Sequence, residues 1–508
     1  MNNLKIKIKD GEYWWGGLVD DAYRMPLGIG SDYTADLTHN MSYNQCSPLF
    51  LSSKGRFIWN EKGYKISFSD GEISVEGEEI VFDESGKTLK DAYHKAQINF
   101  FPPDGSFPNE LMFKVPQYCT WIELLSEQTE NGILGYAKSI IEAGMPAGEI
   151  IIDNGWQRDY GDWEFDAAKF PDPRSMVKKL HDMGFKVILW IVPYLSPDGK
   201  EFLQLNERGA LIKKTDGSPL ITEWWEGYSA VLDFSNPIAV KWFRSRTKYL
   251  MDEYGVDGFK LDGGDARFIN EPIECFEPDC DANRQSELYV LEGLQYGFNE
   301  LRAAFKCGGR GVAQRIADRH HTWDIVLGVG SLIPNASLQG LLGYSYTCPD
   351  MVGGGLSGDF TGEARKHLDE ELFIRSCQCS SLMPMMQLSF AFWRVFTEKT
   401  IEICIKYTSL HAEMHDYIMK YVENSALNGE PVIRNMAYQF NEGEEIKDQF
   451  MLGDEYLVAP VINKGQTKRT VKLFDGKWVY VPTGEVFEKG EAVIDAPIDV
   501  LPYFKRVG

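Results

Sequence analysis

A repeated strand–helix pattern runs through residues 116–428, and it constrains the fold more than any other feature of the sequence. The predicted strands lie at 120–124, 149–153, 186–192, 258–262 and 311–318. Predicted helices separate them, near 130–144, 173–183 and 283–305. Strands that alternate with helices form βαβ units and a parallel sheet. The length of the region predicts a (β/α)8 TIM barrel, with residues 154–172 and 196–230 as loops above it.

Two all-β regions flank this barrel. Residues 1–115 contain short alternating runs separated by Asp-Gly and Lys-Gly turn signals, which predicts a β-sandwich. A helical stretch at about 397–427 closes the barrel, and short strands and turns then return. We therefore expect an α/β chain of three domains: an N-terminal β-sandwich at 1–115, the barrel at 116–428 and a C-terminal all-β sandwich at 429–508.

The composition argues against several classes of partner. The chain has 52 basic and 75 acidic residues, a net charge of −23, which disfavours binding to nucleic acid or to anionic membranes. Residues 1–9 lack the apolar core of a signal peptide, and no apolar run reaches the ~18 residues needed to span a bilayer. Nine cysteines in no framework pattern predict reduced thiols and a cytoplasmic location.

Aspartates end several of the predicted barrel strands, where barrel enzymes hold their catalytic groups. Asp153, Asp262 and Asp318 each close a strand, and Asp350 follows a Cys-Pro pair. One such aspartate is more often a helix N-cap or a turn residue, but several in one barrel predict a site. Lys260 precedes Asp262 by two positions, so strand alternation puts both side chains on one face. The cation would keep the carboxylate ionised, which makes Asp262 a candidate nucleophile.

These residues leave more than one class of function open. Two carboxyls that flank a bond, one ionised and one with a raised pKa, are the equipment of glycoside hydrolysis. Lys260 suggests a Schiff-base aldolase, although a neighbouring carboxylate would hold it protonated. A barrel that only binds carbohydrate is a further alternative. A metal enzyme is disfavoured, because Glu413 lies off the H-E-x-x-H position between His411 and His415. We predict neither a metal nor another cofactor.

An ordered series of motifs resembles glycoside hydrolase family 31 along nearly the whole chain. Asp-Gly-Phe-Lys-Leu-Asp-Gly-Gly-Asp at 257–265 resembles the nucleophile strand of that family. Arg-Ile-Ala-Asp-Arg at 315–319 resembles the acid/base strand of its branch with α-galactosidase activity. Further blocks of similarity follow in the family's order, at 331–334, 342–344, 349–354, 371–375, 383–389, 449–453 and 457–461. One block alone would be weak, whereas the ordered series is specific.

The resemblance implies a retaining exo-α-glycosidase that works through a covalent glycosyl-enzyme. Asp262 would be the nucleophile and Asp318 the acid/base, with their carboxyls roughly 5–5.5 Å apart. Asp153 would hydrogen-bond hydroxyls of the sugar in the −1 subsite, which is the sugar on the non-reducing side of the cleaved bond. Lys260 would lower the pKa of Asp262 and touch the sugar, or it would be only an ion-paired lysine of the barrel.

Other residues are candidates for contact with the substrate. Trp14 and Trp15 lie in a turn that resembles the N-terminal loop folded over the active site in this family. The remaining candidates are Trp190, Asp265, Arg315, Asp350, Gln387, Ser389 and Trp393. The tryptophans at 156, 163, 224 and 225 are equally consistent with sugar stacking and with packing. The cation that contacts the sugar is left open among Lys306, Arg310 and Arg315.

Two departures from the family pattern bear on the sugar. Much of the family has Asp-Phe-Gly-Glu or Asp-Met-Asn-Glu at the nucleophile, whereas this chain has Asp262-Gly-Gly-Asp265. The usual Arg-x-His, whose histidine serves a gluco-configured sugar, is replaced by Gln387-Leu-Ser389. We therefore expect an α-galactosidase that acts on a small oligosaccharide or other α-glycoside, with an α-glucosidase or α-xylosidase as alternatives. The linkage, the aglycone and a possible homo-oligomer stay open.

Overall fold

Eight parallel β-strands form the centre of the computed structural model, which describes residues 2–507. In chain order they are β1 (Gln117–Cys119), β2 (Glu149–Ile152), β3 (Lys186–Ile191), β4 (Gly258–Leu261), β5 (Phe298–Leu301), β6 (Ala313–Arg315), β7 (Thr347–Cys348) and β8 (Gln387–Leu388). The sheet runs in the order β7-β6-β5-β4-β3-β2-β1-β8, and a parallel bridge between Met351 and Gln387 joins its two ends. The predicted (β/α)8 barrel is confirmed.

Polar side chains fill the middle of the barrel. Glu300 of β5 accepts hydrogen bonds from Arg315 Nε of β6 at 3.0 Å and from Gln387 Nε2 of β8 at 2.6 Å. Gln387 Nε2 also donates to Gln117 Oε1 of β1, at 2.9 Å. These four side chains are buried, so their polar groups need partners inside the protein. The network fixes the relative positions of strands that carry the strand-end residues.

Helices surround the barrel and connect its strands. The side chains of Thr129, Asp172 and Asp281 cap three of them by accepting backbone N–H bonds. The α-helices of this region are Trp121–Leu124, Glu130–Glu142, Pro173–Asp182, Lys200–Glu207, Pro237–Tyr254, Ala282–Glu292, Leu332–Leu341, Glu370–Ser381, Glu398–Glu413 and His415–Asn428. Short 3-10 helices lie at Ala266–Phe268, Gly293–Gln295, Val329–Ser331, Ser357–Phe360, Ala364–His367 and Phe392–Arg394.

The connection from β3 to β4 carries a large insert on the side of the strand C-termini. A β-hairpin of Ile221–Trp224 and Gly227–Val231 pairs with Tyr194–Leu195, just beyond β3. Two further short strands pair with each other, Lys213–Lys214 and Ile273–Glu274. The predicted loop at 196–230 is therefore a small folded unit, with a hairpin tip at residues 225–226.

Two packed β-sheets form the N-terminal region. One contains, in spatial order, Asn2–Lys7, Glu72–Gly77, Lys65–Ser69 and Tyr33–Asp36. The other contains Ala304–Phe305, Gln45–Ser52, Phe57–Trp59 and Val81–Asp83, with Trp14–Leu18 paired to Gln45–Ser52. Phe50 and Phe68 meet across the sheets with ring centroids 5.7 Å apart. The predicted β-sandwich is confirmed, and it carries helices that were not predicted, at Val19–Arg24 and Glu110–Phe113 (both 3-10) and at Leu89–Phe100 (α).

One strand of the sandwich comes from the barrel region. Ala304–Phe305 lies shortly after β5 and pairs in parallel with Gln45 and Cys46. A single hydrophobic cluster continues from the sandwich into the barrel. Gln45 Nε2 also donates to the carbonyl of Arg315 at 3.0 Å. The N-terminal segment 40–46 is thereby held against the C-terminal ends of β5 and β6.

The C-terminal region is all-β apart from one short helix, Met436–Phe440. Its main sheet has six strands, in the order Ile433–Arg434, Phe450–Leu452, Tyr456–Val458, Tyr503–Val507, Lys477–Tyr480 and Glu485–Phe487. Lys468–Leu473 and Gly490–Asp495 form a second, two-stranded sheet. A separate core that includes Val471 and Trp478 joins the two sheets. The predicted all-β domain is confirmed, while the boundaries at 115 and 428 stay predictions.

Two predictions inside the barrel are wrong. Residues 120–124 are not a strand, because β1 ends at Cys119 and the chain turns into a helix, in which the Ile122 N–H donates to Ser389 Oγ at 2.9 Å. The predicted helix 283–305 ends at Glu292, and β5 follows it. Glu300 explains the second error, since a charged residue at an interior strand position is recognisable only from its partners on β6 and β8.

The described residues also bear on membranes and thiols. Within residues 2–507, no helix is both long enough and apolar enough to cross a bilayer. All nine cysteines are free thiols, and most of them are buried. The thiols therefore add no covalent cross-link to the packed barrel and sandwiches.

Candidate active site

Asp262 lies immediately after β4, at the C-terminal mouth of the barrel. Its Oδ2 accepts a hydrogen bond from Trp190 Nε1 at 3.0 Å, and its Oδ1 accepts one from Arg302 Nε at 3.2 Å. Burial tends to raise the pKa of this carboxyl, but the charges of Arg302, Lys260 and Arg315 outweigh it and hold the pKa well below its usual range. Asp262 is therefore an ionised carboxylate with both oxygens oriented.

Two glycines turn the chain directly after Asp262. Gly263 and Gly264 have φ angles of +66° and +69°, a region that other residues rarely adopt. A Cβ on Gly264 would lie 2.3 Å from the ring of Tyr289, so this position also lacks room for a side chain. The turn brings Asp265 to the same arginine that binds Asp262.

Arg302 is the cation at this carboxylate, and sequence reasoning missed it. It lies one residue after β5 and is 8% exposed. Besides Asp262 it binds Asp265 through two hydrogen bonds, 2.9 Å from Nη1 and 2.7 Å from Nη2. Burial raises the pKa of Asp265, and Arg302 opposes the rise. One guanidinium thus orients two carboxyls, of which Asp262 faces the mouth of the barrel.

Two of the three cations left open by the sequence lie elsewhere. Lys306 forms an ion pair with Glu287 at 3.2 Å, and Arg310 approaches Asp104 at 3.8 Å. Neither contacts any of the strand-end aspartates. Arg315 is the remaining member of the three, and it does lie in the site.

Asp318 and Asp350 meet at one nitrogen of Arg315. Arg315 Nη1 donates to the Oδ1 atoms of both residues, at 2.7 Å in each case. The Asp318 side chain is 32% exposed, whereas that of Asp350 is fully buried. Burial raises the pKa of Asp350; Arg315 opposes the rise, and the charge of Asp318 adds to it. The two carboxyls therefore share one cation, and burial favours the protonated form of Asp350.

Asp153 and Lys260 form a buried ion pair beside this group. Lys260 Nζ donates to Asp153 Oδ2 at 2.8 Å, and both side chains are about 5% exposed or less. Burial tends to lower the pKa of Lys260, but the charge of Asp153 outweighs it and raises the pKa above its usual value. A Schiff-base lysine needs the opposite shift, so the aldolase alternative is not supported. Lys260 is also one of the charges that lower the pKa of Asp262, as expected from the sequence.

Gln387 and Ser389 are buried and already bonded within the protein. Gln387 uses its Nε2 for Glu300 and Gln117 in the barrel interior. Ser389 Oγ accepts the backbone N–H of Ile122 at 2.9 Å. These bonds connect β8 to β1 and β5, so both residues support the barrel mouth. Direct contact with a sugar stays a prediction for both.

Three tryptophans predicted at the substrate site pack elsewhere. Trp14 and Trp15 are buried in the N-terminal sandwich, because their strand pairs with the central strand Gln45–Ser52. Arg56 Cζ lies 5.3 Å from the Trp14 ring. Trp393 stacks in parallel on Tyr136, outside the barrel, at 6.2 Å between centroids. Trp190 is the one candidate among the tryptophans whose ring nitrogen reaches a strand-end aspartate.

The N-terminal region still reaches the site, through residues that are not among the candidates predicted from the sequence. Asp20 Oδ2 accepts the backbone N–H of Tyr43 at 2.7 Å. The carbonyl of Tyr43 in turn accepts from Arg302 Nη1. Asn44 Oδ1 accepts the N–H of Ala317, the neighbour of Asp318, at 2.7 Å. The sandwich therefore braces both halves of the carboxylate cluster.

Histidines do not form a metal centre in the described part of the chain. His411 is buried, with Nδ1 3.1 Å from the carbonyl of Ser381. His320 Nδ1 lies 2.9 Å from Asp359 Oδ2. Over residues 2–507, no group of three or more His, Cys, Asp or Glu side chains could hold a metal ion.

Family comparisons agree with the barrel and with the C-terminal all-β domain. One model, "Glycosyl hydrolases family 31 TIM-barrel domain", matches residues 116–421. A second, "Glycosyl hydrolase family 31 C-terminal domain", matches residues 429–508. Fold and matches define a barrel protein of the glycoside hydrolase class. The chain belongs to glycoside hydrolase family 31.

Known relatives differ in the activities that their names record. The myogenesis-regulating glycosidase of Mus musculus is 29% identical over 418 residues, which cover 80% of this chain and 58% of that protein. The alpha-xylosidase XylQ of Lactiplantibacillus pentosus is 25% identical over 509 residues, 93% of this chain and 62% of its own length. The chain thus spans about three fifths of these relatives.

Solved structures of the family share the fold. A GH31 family sulfoquinovosidase from E. rectale, in complex with an aza-sugar inhibitor, has a TM-score of 0.83 at 19% identity, over 99% of this chain and 82% of that one. A GH31 dextranase of Flavobacterium johnsoniae, complexed with glucose, has a TM-score of 0.84 at 20% identity, over 99% and 66%. Both likenesses establish the architecture of the chain.

Proposed function

We propose that the chain is a retaining exo-α-glycosidase that releases terminal α-galactose from small oligosaccharides or other α-glycosides. The observation that supports this most is a pair of strand-end carboxyls, each held by its own arginine: Asp262 by Arg302, and Asp318 by Arg315. Hydrolysis with retention needs one carboxylate as nucleophile and a second carboxyl as proton carrier, roughly 5–5.5 Å apart.

The proposed reaction has two displacements. Asp262 attacks the anomeric carbon while Asp318 donates its proton to the departing glycosidic oxygen, which gives a covalent glycosyl-enzyme and a free alcohol. Asp318, now a carboxylate, then takes a proton from a water molecule that attacks the same carbon and releases Asp262. Each displacement inverts the anomeric centre, so the product keeps the α-configuration.

The charges around the two carboxyls suit these roles. Arg302, Lys260 and Arg315 keep Asp262 ionised, as a nucleophile requires. Asp318 must carry a proton in one step and lose it in the other. Burial favours the protonated form of Asp350, and a neutral Asp350 leaves Arg315 to stabilise Asp318 once its proton has gone. Asp350 is therefore a positioning residue in this proposal.

The preference for galactose follows from a departure within the family. Gln387-Leu-Ser389 occupies the place of the usual Arg-x-His and resembles the branch with α-galactosidase activity. Asp153, held by Lys260, supplies an oriented carboxylate for sugar hydroxyls at the end of β2. An α-xylosidase of the same mechanism is the second candidate, because XylQ matches 93% of this chain.

A panel of 4-nitrophenyl α-glycosides tests the proposed function. We expect the highest kcat/KM with the α-galactoside, and NMR of the first product should show α-galactose before mutarotation. A highest value with the α-xyloside would favour the second candidate. Sugar binding by calorimetry without release of nitrophenol from any glycoside would instead support a barrel that only binds carbohydrate.

Removal of the Arg302 guanidinium should change the ionisation of Asp262. In Arg302→Met two buried carboxyls lose their partner, so we expect the free energy of unfolding to fall by about 3–5 kcal/mol. The pKa of Asp262 should rise, and the acidic limb of the kcat/KM profile should move to higher pH, because the nucleophile must be ionised. Denaturant titration and pH–rate profiles measure the two effects.

A surface arginine provides the matched control for Arg302. Arg394 pairs with Glu123 at 2.6 Å, but its side chain is 47% exposed. Arg394→Met should lower the free energy of unfolding by less than about 1 kcal/mol and leave the pH dependence of kcat/KM unchanged. An acidic limb that stays in place in Arg302→Met would contradict the assigned role of this arginine.

A further inference from the structure

The tip of the 221–231 hairpin extends across the mouth of the barrel. Glu226 Oε1 accepts a hydrogen bond from Asn154 Nδ2 at 3.0 Å, two residues beyond the end of β2. Its neighbour Trp225 lies over the opposite side, with its ring 5.5 Å from Arg302 Cζ beyond β5. Two consecutive residues thus reach strand ends on both sides of Asp262. Trp225 is 47% exposed, so part of its side chain is accessible to a ligand.

A cleft opens beside this tip. It has a volume of about 350 Å³, and its polar lining includes Glu226, Asn154, Tyr160 and Thr361. Clefts of roughly 300–1,000 Å³ are the usual size for small-molecule sites. One wall is Trp121, whose Nε1 donates to the carbonyl of Gly355 at 2.9 Å.

The cleft adjoins the acid/base end of the site, because its wall residue Trp121 is bonded to Gly355. A Cβ on Gly355 would lie 3.2 Å from Asp318 Oδ1 and 3.1 Å from Asp350 Oδ1, so the backbone of this glycine passes directly by both carboxyls. A group that leaves under protonation by Asp318 would therefore enter this cleft.

We propose that Glu226 is a specificity residue that accepts hydrogen bonds from the hydroxyls of the leaving group, which is itself a sugar. This inference rests on the proposed glycosidase activity and names the class of its substrate: an α-linked di- or oligosaccharide rather than a glycoside of a small apolar alcohol. The carboxylate accepts from hydroxyl donors, and the exposed part of the neighbouring Trp225 offers an apolar surface to a sugar ring. A flat apolar leaving group would leave the polar lining of the cleft without partners.

Three substrates with the same −1 sugar separate the contributions: an α-linked disaccharide, the 4-nitrophenyl α-glycoside and the α-glycosyl fluoride. Fluoride has no hydroxyls to bind, so Glu226→Ala should lower its kcat/KM less than about three-fold. For the disaccharide, kcat/KM should fall by about 10–100-fold, which corresponds to the loss of a hydrogen bond to a charged group. Trp225→Ala should lower kcat/KM more for the disaccharide and the aryl glycoside than for the fluoride.

Matched controls come from the same hairpin. Glu223 and Tyr228 are exposed, pair with each other across its two strands and do not line the cleft. Glu223→Ala and Tyr228→Ala should leave kcat/KM unchanged for all three substrates. The inference would be overturned if Glu226→Ala lowered kcat/KM equally for all three substrates, or if it left kcat/KM for the disaccharide unchanged. The proposed glycosidase activity would stand in either case. A wild-type chain that hydrolyses none of the three would overturn the proposed function and this inference with it.

Discussion

Asp262→Asn is expected to abolish formation of the glycosyl-enzyme. The amide keeps the shape of the carboxylate and the bond from Trp190, but it carries no negative charge with which to attack the anomeric carbon. We expect kcat to fall by about 10⁴-fold or more for every leaving group, as with other covalent nucleophiles. Intact-protein mass spectrometry after treatment with a 5-fluoroglycosyl fluoride should show the added sugar in the wild type and none in the variant.

The opposite end of the same strand provides the control. Asp257 precedes β4 and pairs with His181 at 2.7 Å and Lys186 at 2.9 Å, at the N-terminal face of the barrel. Asp257→Asn should lower the free energy of unfolding but still form the glycosyl-enzyme, because the N-terminal face of a barrel contributes to folding rather than to catalysis.

Chemical rescue tests the nucleophile independently. Asp262→Gly leaves a space beside Arg302, and a small anion such as azide should enter it and attack from the same side. The product should be the β-glycosyl azide, formed by a single inversion. An α-azide, or full hydrolysis by Asp262→Asn, would assign the nucleophile to another residue.

The strand-end aspartates could be found from the sequence because their signal is local. An alternating run that stops at glycines, as at Asp262, places its last carboxyl at the barrel mouth whatever the rest of the chain does. Asp153 and Asp318 likewise close short predicted strands, and Asp350 follows a Cys-Pro pair. The barrel and the two flanking β-regions were predictable for the same reason, since each repeats a short-range pattern over many residues.

Arg302 was not predictable in this way. Its strand, β5, has Asn299 and Glu300 buried among barrel partners, so the hydrophobic alternation that marks a strand is absent. Only Arg315 and Gln387, distant in sequence, explain a charged interior position there. A single predicted helix over 283–305 hides β5, so the sequence pattern does not place the residue after this strand at the barrel mouth.

The N-terminal loop shows a different limit. Trp14 and Trp15 are candidates because their turn resembles the N-terminal loop folded over the active site in this family, but a large aromatic side chain also suits a core. Which role applies depends on strand pairing, and the pairing with Gln45–Ser52 buries both. Two N-terminal residues do reach the site, because the side chains of Asp20 and Asn44 accept backbone N–H bonds from Tyr43 and Ala317. A bond to a backbone group does not depend on the partner's residue type, so it leaves no signal in a single sequence.

The second large effect is expected for Asp318→Asn, and it should depend on the leaving group. Without a proton donor, kcat/KM for a disaccharide or methyl glycoside should fall by about 10²–10⁴-fold, the usual contribution of general acid catalysis. A 2,4-dinitrophenyl glycoside or a glycosyl fluoride needs little protonation, so its first displacement should slow by less than about ten-fold. The second displacement also loses its base, and the glycosyl-enzyme should therefore accumulate.

The dependence of kcat/KM on the pKa of the leaving group distinguishes a general-acid role of Asp318 from a structural one. For Asp318→Asn the plot of log kcat/KM should become steeper, whereas a structural defect would lower all points equally. Asp324, a carboxylate in the same loop that accepts N–H bonds from Val326 and Leu327, is the matched control. Asp324→Asn should keep the wild-type slope. Small and equal losses in Asp318→Asn and Asp262→Asn would exclude double displacement by this pair, because the two residues do different chemistry on the same bond.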